Sequence, residues 1–249
     1  MIYGLNPVQS TKTLLSKLST IEVNALLQIG IRVLKKEKRG SFLIQLGRHK
    51  FTTKSSTPLE INRDYWVQML QTKDGIIQLK NLHPKPLLLQ NFFSPQLNQD
   101  FFNSILKKDT TVDSIKNQII KAMETTKSKD EFIILTQMLL SLHNGVFTIP
   151  LIQNGKKMLY QMRKSKLNTK KLEFYIAMNN LGPIEGEVTI SNGLRHLKLT
   201  LFYQRSAELL KKVSKELDGF SSMNIVQTKS HILPFFDDTN LASFLDIKG

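Results

Sequence analysis

The side chains that could carry out chemistry are scattered along this chain of 249 residues. The five histidines lie far apart, and no two have the spacing that places metal ligands on one helix face. The absence of cysteine excludes thiol catalysis and cysteine-based zinc sites. No glycine-rich phosphate loop is present, and the close carboxylate pair Glu185 and Glu187 lacks a partner acid or base. We therefore expect a protein that is not an enzyme and has no cofactor or metal.

Two groups of residues in the N-terminal third could instead bind a partner. The run Lys35, Lys36, Lys38 and Arg39 precedes Gly40, which predicts either a solvated hairpin tip or an anion-binding loop. Trp66 follows Tyr65 at the start of an expected strand, where it could stack on single-stranded nucleic acid or lie in the core. Both alternatives stay open at the level of sequence.

The elements that must position these residues are short strands. Apolar runs recur about every ten residues between Gly, Asn and Asp turns, which predicts a small antiparallel β-barrel of the OB or SH3-like kind over residues 20–86. We expect residues 1–19 to form an N-terminal arm or a helix. The two prolines of 83–92 predict a linker, so we expect independently folded units on either side.

Helical periodicity dominates the middle of the chain. Residues 94–108, 110–126 and 128–145 each predict a helix, and the last begins with a capping box formed by Ser128 and Glu131. Together they give a helical spacer over residues 91–145, in which acidic and basic residues balance. Basic residues are concentrated on either side of it.

Residues 146–228 predict an α+β domain. A strand pair at 145–164 is followed by strand, turn, strand, turn, strand, helix and strand, with an Asn-Gly hairpin signal at 192–193. Alternation places Leu197, Leu199 and Leu201 on one face, toward a helix that Ser206 caps. The tail, 229–249, could dock on a domain or bind a partner. The fold class is therefore α+β, with a barrel, a helical spacer and this C-terminal domain.

The C-terminal order, with Leu181-Gly182 between two strands and a helix carrying ELLKKVSKEL, resembles the C-terminal domain of the flagellar hook-length control (FliK) family. The resemblance covers about the last third of the chain, and Met178 stands where the family often has proline. It implies a FliK-like protein without the long ruler region, acting in hook-length control or substrate switching. The implied partner is the cytoplasmic domain of the export-gate protein FlhB or an FlhB-like protein, with hook proteins as further candidates.

Within this resemblance, the turn between the first two strands is the expected contact site. It consists of Leu181, Gly182, Pro183, Ile184 and Glu185. Pro183 has no amide hydrogen and so tends to leave a turn at a sheet edge, where Ile184 and Glu185 would be exposed. The alternative is that the motif merely closes a hairpin.

The net charge of +15 favours acidic partners, nucleic acid among them. The alternative function is therefore a nucleic-acid-binding protein that uses the basic barrel. No apolar run approaches the roughly 20 residues that cross a bilayer, so a cytoplasmic protein is expected, with export through the flagellar system as a further option.

Overall fold

The computed structural model describes residues 29–55, 58–71, 77–91, 111–153, 156–165, 170–216 and 219–237. The predicted N-terminal arm and the predicted helix at 94–108 lie outside these ranges. The fold is mixed α+β and contains two sheets, both mostly antiparallel.

The N-terminal sheet has five strands. They are β1 (Ile29–Lys36), β2 (Ser41–Leu46), β3 (His49–Lys54), β4 (Asp64–Gln71) and β5 (Ile77–Pro84), in the order β3-β2-β1-β4-β5. Within the described residues this sheet is open, and no closed barrel is found. The predicted barrel is therefore not confirmed. One face of β4 and β5 carries Trp66 and His83, which are fully buried against the C-terminal part of the chain. The opposite face has a core of its own, formed by buried apolar residues of β1, β2 and β4: Ile31, Val33, Phe42, Ile44, Tyr65 and Val67.

The segment predicted to be a linker is part of the packed structure. Pro84 ends β5, and the short helix α1 (Leu87–Asn91) follows. Leu88 and Leu89 are buried in the same core as the C-terminal sheet. Two prolines break regular structure locally, but the apolar residues after them still pack.

Two helices follow, α2 (Val112–Thr125) and α3 (Lys129–His143). Thr111 caps α2 through its side chain, and the expected Ser128 cap of α3 is present, because its hydroxyl accepts from the Glu131 amide at 3.4 Å. Their buried faces carry Ile115 and Ile119 in α2 and Ile134, Leu135 and Met138 in α3. These residues belong to the core of the C-terminal sheet, so the helices pack on that sheet and do not form a separate spacer.

The C-terminal sheet has six strands in the order β11-β10-β9-β8-β7-β6. They are β6 (Phe147–Gln153), β7 (Lys156–Lys164), β8 (Lys171–Met178), β9 (Gly182–Ser191), β10 (Leu194–Leu201) and β11 (Ser222–Gln227), with α4 (Gln204–Val213) between the last two. The predicted succession of elements is observed. The helix crossover makes β11 parallel to β10, whereas every other pair in this sheet is antiparallel.

The strand register places an apolar layer on one face of the C-terminal sheet. Tyr160 of β7 pairs with Ile176 of β8, which pairs with Ile184 of β9, which pairs with Leu201 of β10. Leu197, Leu199 and Leu201 are buried in this layer, in one core with Leu210 of α4. Ser206 does not cap α4, which begins after Tyr203; it lies within the first turn of the helix.

Candidate partner-binding surfaces

The turn predicted as the contact site is buried. Leu181 and Ile184 are in the core, Gly182 and Pro183 are buried, and Glu185 is half-buried. The interpretation of these five residues as an exposed contact surface is therefore wrong. The reason is that Leu181 and Ile184 pack in the same core as Leu199 of β10 and Leu210 of α4, so they face other residues of the protein and not solvent.

The same turn is fixed by contacts with the start of α4. The Ser206 hydroxyl donates to the Leu181 carbonyl oxygen at 2.9 Å. Gly182 has φ +79°, and a Cβ at this position would lie 2.6 Å from the ring of Tyr203. Glycine is thus required here for its conformation and for the close approach of the ring. Pro183 does not mark a sheet edge, but as the second residue of β9 it is tolerated near the strand end.

Trp66 lies at the junction of the two sheets. Its side chain is fully buried, and its indole N–H donates to the Met178 carbonyl oxygen at 3.1 Å. A nucleobase cannot stack on a ring that the protein itself covers. The stacking role is therefore wrong, and the core alternative is observed.

The side chains of Tyr203, Lys85 and Asn179 also connect the two sheets at this junction. The Tyr203 hydroxyl donates to the Asn81 carbonyl oxygen at 3.0 Å, and the Lys85 ammonium donates to Asn179 Oδ1 at 3.1 Å. Lys85 is only 8% exposed, and burial lowers its pKa, although nearby Asp64 acts in the opposite sense. Gly30 leaves room for the ammonium, since a Cβ there would lie 2.9 Å from it. Sequence reasoning did not identify Lys85 as a junction residue. Its position between two prolines was the signal that could have drawn attention to it.

His83 is buried at the same junction. Its Nε2 atom accepts a hydrogen bond from the Ile232 amide at 3.2 Å, so the neutral ring carries its proton on Nδ1, which lies 3.0 Å from the Pro84 carbonyl oxygen. Burial lowers the pKa of His83 to about 4, and the facing ring of His231 contributes in the same direction. His83 is therefore a neutral structural residue at physiological pH.

The described part of the tail docks on the protein. Gln161 accepts from the amides of Phe235 and Phe236 and donates to the Phe236 carbonyl oxygen. Asp237 forms an ion pair with Arg63 at 2.9 Å and accepts from the Leu87 amide at 3.0 Å. The tail thus connects β7, the loop before β4 and the start of α1. Of the two alternatives for the tail, docking is the one observed for residues 231–237.

The predicted anion-binding loop is exposed. Three exposed lysines surround Glu37 at the tip between β1 and β2, namely Lys35, Lys36 and Lys38. They line an open depression there. The side chain of Arg39 lies outside the described part. The Lys35 ammonium is 3.3 Å from the Glu37 carboxylate, which also accepts from the Thr52 hydroxyl of β3 at 3.1 Å. This contact places the lysine loop beside β3.

The neighbouring strand β3 is exposed on both faces. Lys50 and Lys54 lie two positions either side of Thr52 on one face, and Phe51 on the other face is 37% exposed. We call Lys35, Lys36, Lys38, Lys50 and Lys54 together the basic hairpin surface. Sequence reasoning predicted the strand but did not single out Lys50 and Lys54, whose alternation around Thr52 was the available signal.

Among the described residues, no group of three His, Asp or Glu side chains is arranged to hold a metal ion. In the same ranges no helix is both long and apolar enough to cross a membrane. Comparisons with protein-family models, with curated proteins and with solved structures found no match.

Proposed function

We propose that this chain is a non-enzymatic binding protein of the flagellar type III export system, with a C-terminal domain like that of the FliK family. Its partner in this proposal is the cytoplasmic domain of FlhB or an FlhB-like protein, and its role lies in hook-length control or in switching the class of exported substrate. It acts in the cytoplasm, where the export gate presents that domain.

One observation supports the proposal most directly. The elements β8, β9, β10, α4 and β11 follow one another in the order that the FliK resemblance implies, and Gly182 opens β9 directly after Leu181. The residues that carry the resemblance are also packed together, since Leu181, Leu199 and Leu210 lie in one core. The likeness therefore concerns residues on which this fold depends.

The burial of residues 181–184 moves the proposed contact elsewhere. A partner can reach only exposed side chains, and the basic hairpin surface groups five exposed lysines around one partly engaged carboxylate, Glu37. Such a surface attracts acidic partners and accelerates their association. We place the contact with the export gate on this surface.

The test is a binding measurement between the full chain and the isolated FlhB cytoplasmic domain, by calorimetry at low and physiological salt. We expect binding that weakens when Lys35, Lys36 and Lys38 are changed to Glu. A matched control reverses three lysines elsewhere, Lys211, Lys212 and Lys215, which are exposed on α4 and directly after it. Failure of the unmutated chain to bind, or equal weakening by the control, would contradict the proposal.

Nucleic-acid binding is the second candidate, and the same exposed lysines favour it. Phosphate neutralisation makes the logarithm of affinity fall linearly with the logarithm of salt concentration, so three to five lysine contacts predict a slope of about −2.7 to −4.5 on duplex DNA. The burial of Trp66 removes the expected stacking platform. Measured binding to DNA or RNA with this slope, and none to the FlhB domain, would favour the alternative.

A further inference from the structure

The strand β3 ends the N-terminal sheet and has an open side. Its inner side pairs with β2 along its whole length. The first pair is Leu46 with His49 at the turn, and the last is Ser41 with Lys54. Within the described residues no strand pairs with its outer side. Five of its six residues are exposed, so the outer backbone groups are accessible.

The hairpin turn fixes which backbone groups point outward. Gly47 and Arg48 form a two-residue turn, and Gly47 has φ +58°, as the first turn residue of a type II′ hairpin requires. In such a hairpin the two residues that flank the turn, Leu46 and His49, form a hydrogen-bonded pair. Along two antiparallel strands, hydrogen-bonded pairs alternate with pairs whose backbone groups point away from each other. The amide and carbonyl groups of Lys50, Thr52 and Lys54 therefore point away from β2. We call these three residues the β3 edge.

An edge strand of the other sheet is protected in a different way. β6 carries Pro150, which has no amide hydrogen to donate, and its first four residues are buried. β3 has no proline, and within the described residues five of its six side chains are exposed. Its protection consists of charge alone, because Lys50 and Lys54 repel the same lysines of a second copy.

The same charges favour an acidic strand. Lys50 and Lys54 lie about 13 Å apart along β3, at roughly 3.3 Å per residue, with Thr52 between them on one face. The neighbouring acid, Glu37, is engaged by Lys35 and by Thr52. On the opposite face Phe51 offers a partly exposed apolar ring. The edge thus combines open backbone groups, two cations at fixed spacing and one apolar contact.

We propose that the β3 edge binds an extended acidic segment of a partner protein by strand addition. Backbone hydrogen bonds to Lys50, Thr52 and Lys54 supply the register, and alternate side chains supply specificity. Acidic residues four positions apart face Lys50 and Lys54, and an apolar residue faces Phe51. In the antiparallel orientation, the bound sequence is Glu-Thr-Thr-Val-Glu. The inference does not depend on the flagellar proposal, because it uses only the geometry of β3.

The first experiment uses a labelled peptide containing Glu-Thr-Thr-Val-Glu and the full chain, with fluorescence anisotropy as the readout. We expect binding, and a loss of affinity of about tenfold for the double variant Lys50→Glu and Lys54→Glu, since two exposed ion pairs become repulsive. The matched control Lys211→Glu and Lys212→Glu should bind as the unmutated chain does. Circular dichroism establishes that each variant is folded.

The second experiment tests strand addition itself. N-methylation of the two glutamate amides of the peptide removes donors that face β3, whereas N-methylation of the second-position threonine and the valine removes donors that face solvent, because only alternate residues of the peptide hydrogen-bond to β3. We expect the first peptide to lose binding and the second to keep it. Amide hydrogen exchange in the complex should slow at Lys50, Thr52 and Lys54, and should change little at Phe51, which β2 already protects.

Several results would overturn the inference. They are failure of the peptide to bind, equal loss with both methylated peptides, and no added protection at the β3 edge. Concentration-dependent dimerisation that the peptide does not disrupt would assign the edge to a second copy instead. Stronger binding of a single-stranded oligonucleotide, with the same sensitivity to Lys50→Glu, would assign it to nucleic acid. Binding of the peptide without binding of the FlhB domain would support this inference and contradict only the flagellar proposal.

Discussion

Protonation of His83 should destabilise the junction between the two sheets. Its ring is fully buried between Trp66 and Phe202, and its Nε2 atom accepts the Ile232 amide. A second ring proton would place a donor against that amide and a charge in an apolar environment. The folded protein therefore resists protonation, and the pKa of His83 falls from 6.5 to about 4.

The magnitude and sign follow from these two values. Above pH 6.5 the histidine is neutral in both states, and the stabilisation is complete. Below pH 6.5 the unfolded chain takes up a proton that the folded protein binds only near pH 4, so the free energy of unfolding decreases across this window. The expected loss is about 2 kcal/mol between pH 7.5 and pH 5, and about 3 kcal/mol by pH 4.

Urea denaturation of the unmutated chain and of His83→Gln at several pH values between 7.5 and 5 measures this loss. Glutamine does not titrate, so the difference in free energy of unfolding between the two proteins should shrink by about 2 kcal/mol as the pH falls. His49→Gln, which replaces an exposed histidine on β3, is the matched control. An unchanged difference for His83→Gln, or a ring of His83 that titrates near pH 6.5 by NMR, would refute the reasoning.

Three further predictions concern the core and the docked tail. Leu199→Ala should lower the free energy of unfolding by about 2–5 kcal/mol, because Leu199 is fully buried; a loss under about 0.5 kcal/mol in urea denaturation would contradict its place in the core. Gly186→Ala should cost about 1–3 kcal/mol, because the added methyl meets the ring of Phe174, and Phe174→Leu in the same chain should recover part of it. Arg63→Met should cost about 1–3 kcal/mol by leaving Asp237 without its ion pair, and the further change Asp237→Asn should restore part of this loss in a double-mutant cycle.

The sequence by itself determined most of the elements. Alternation and turn residues located β6 to β10, and helical spacing with the Ser128 cap located α3, because these signals depend on residues close together in the chain. The face of β10 that carries Leu199 also followed from local alternation, since neighbouring strand residues point to opposite sides.

The tertiary structure alone decided which of these residues are accessible. Trp66 is covered by Met178 and the junction, and Ile184 by the core that it shares with Leu210 of α4, through contacts between distant parts of the chain. An apolar residue in an exposed binding site and one in a core have the same local sequence pattern, so the pattern could not separate them. The open N-terminal sheet and the docking of the tail through Arg63 and Asp237 are likewise long-range outcomes. They depend on which surfaces meet when the two sheets pack, and the periodicity of a single segment contains no information about those long-range contacts.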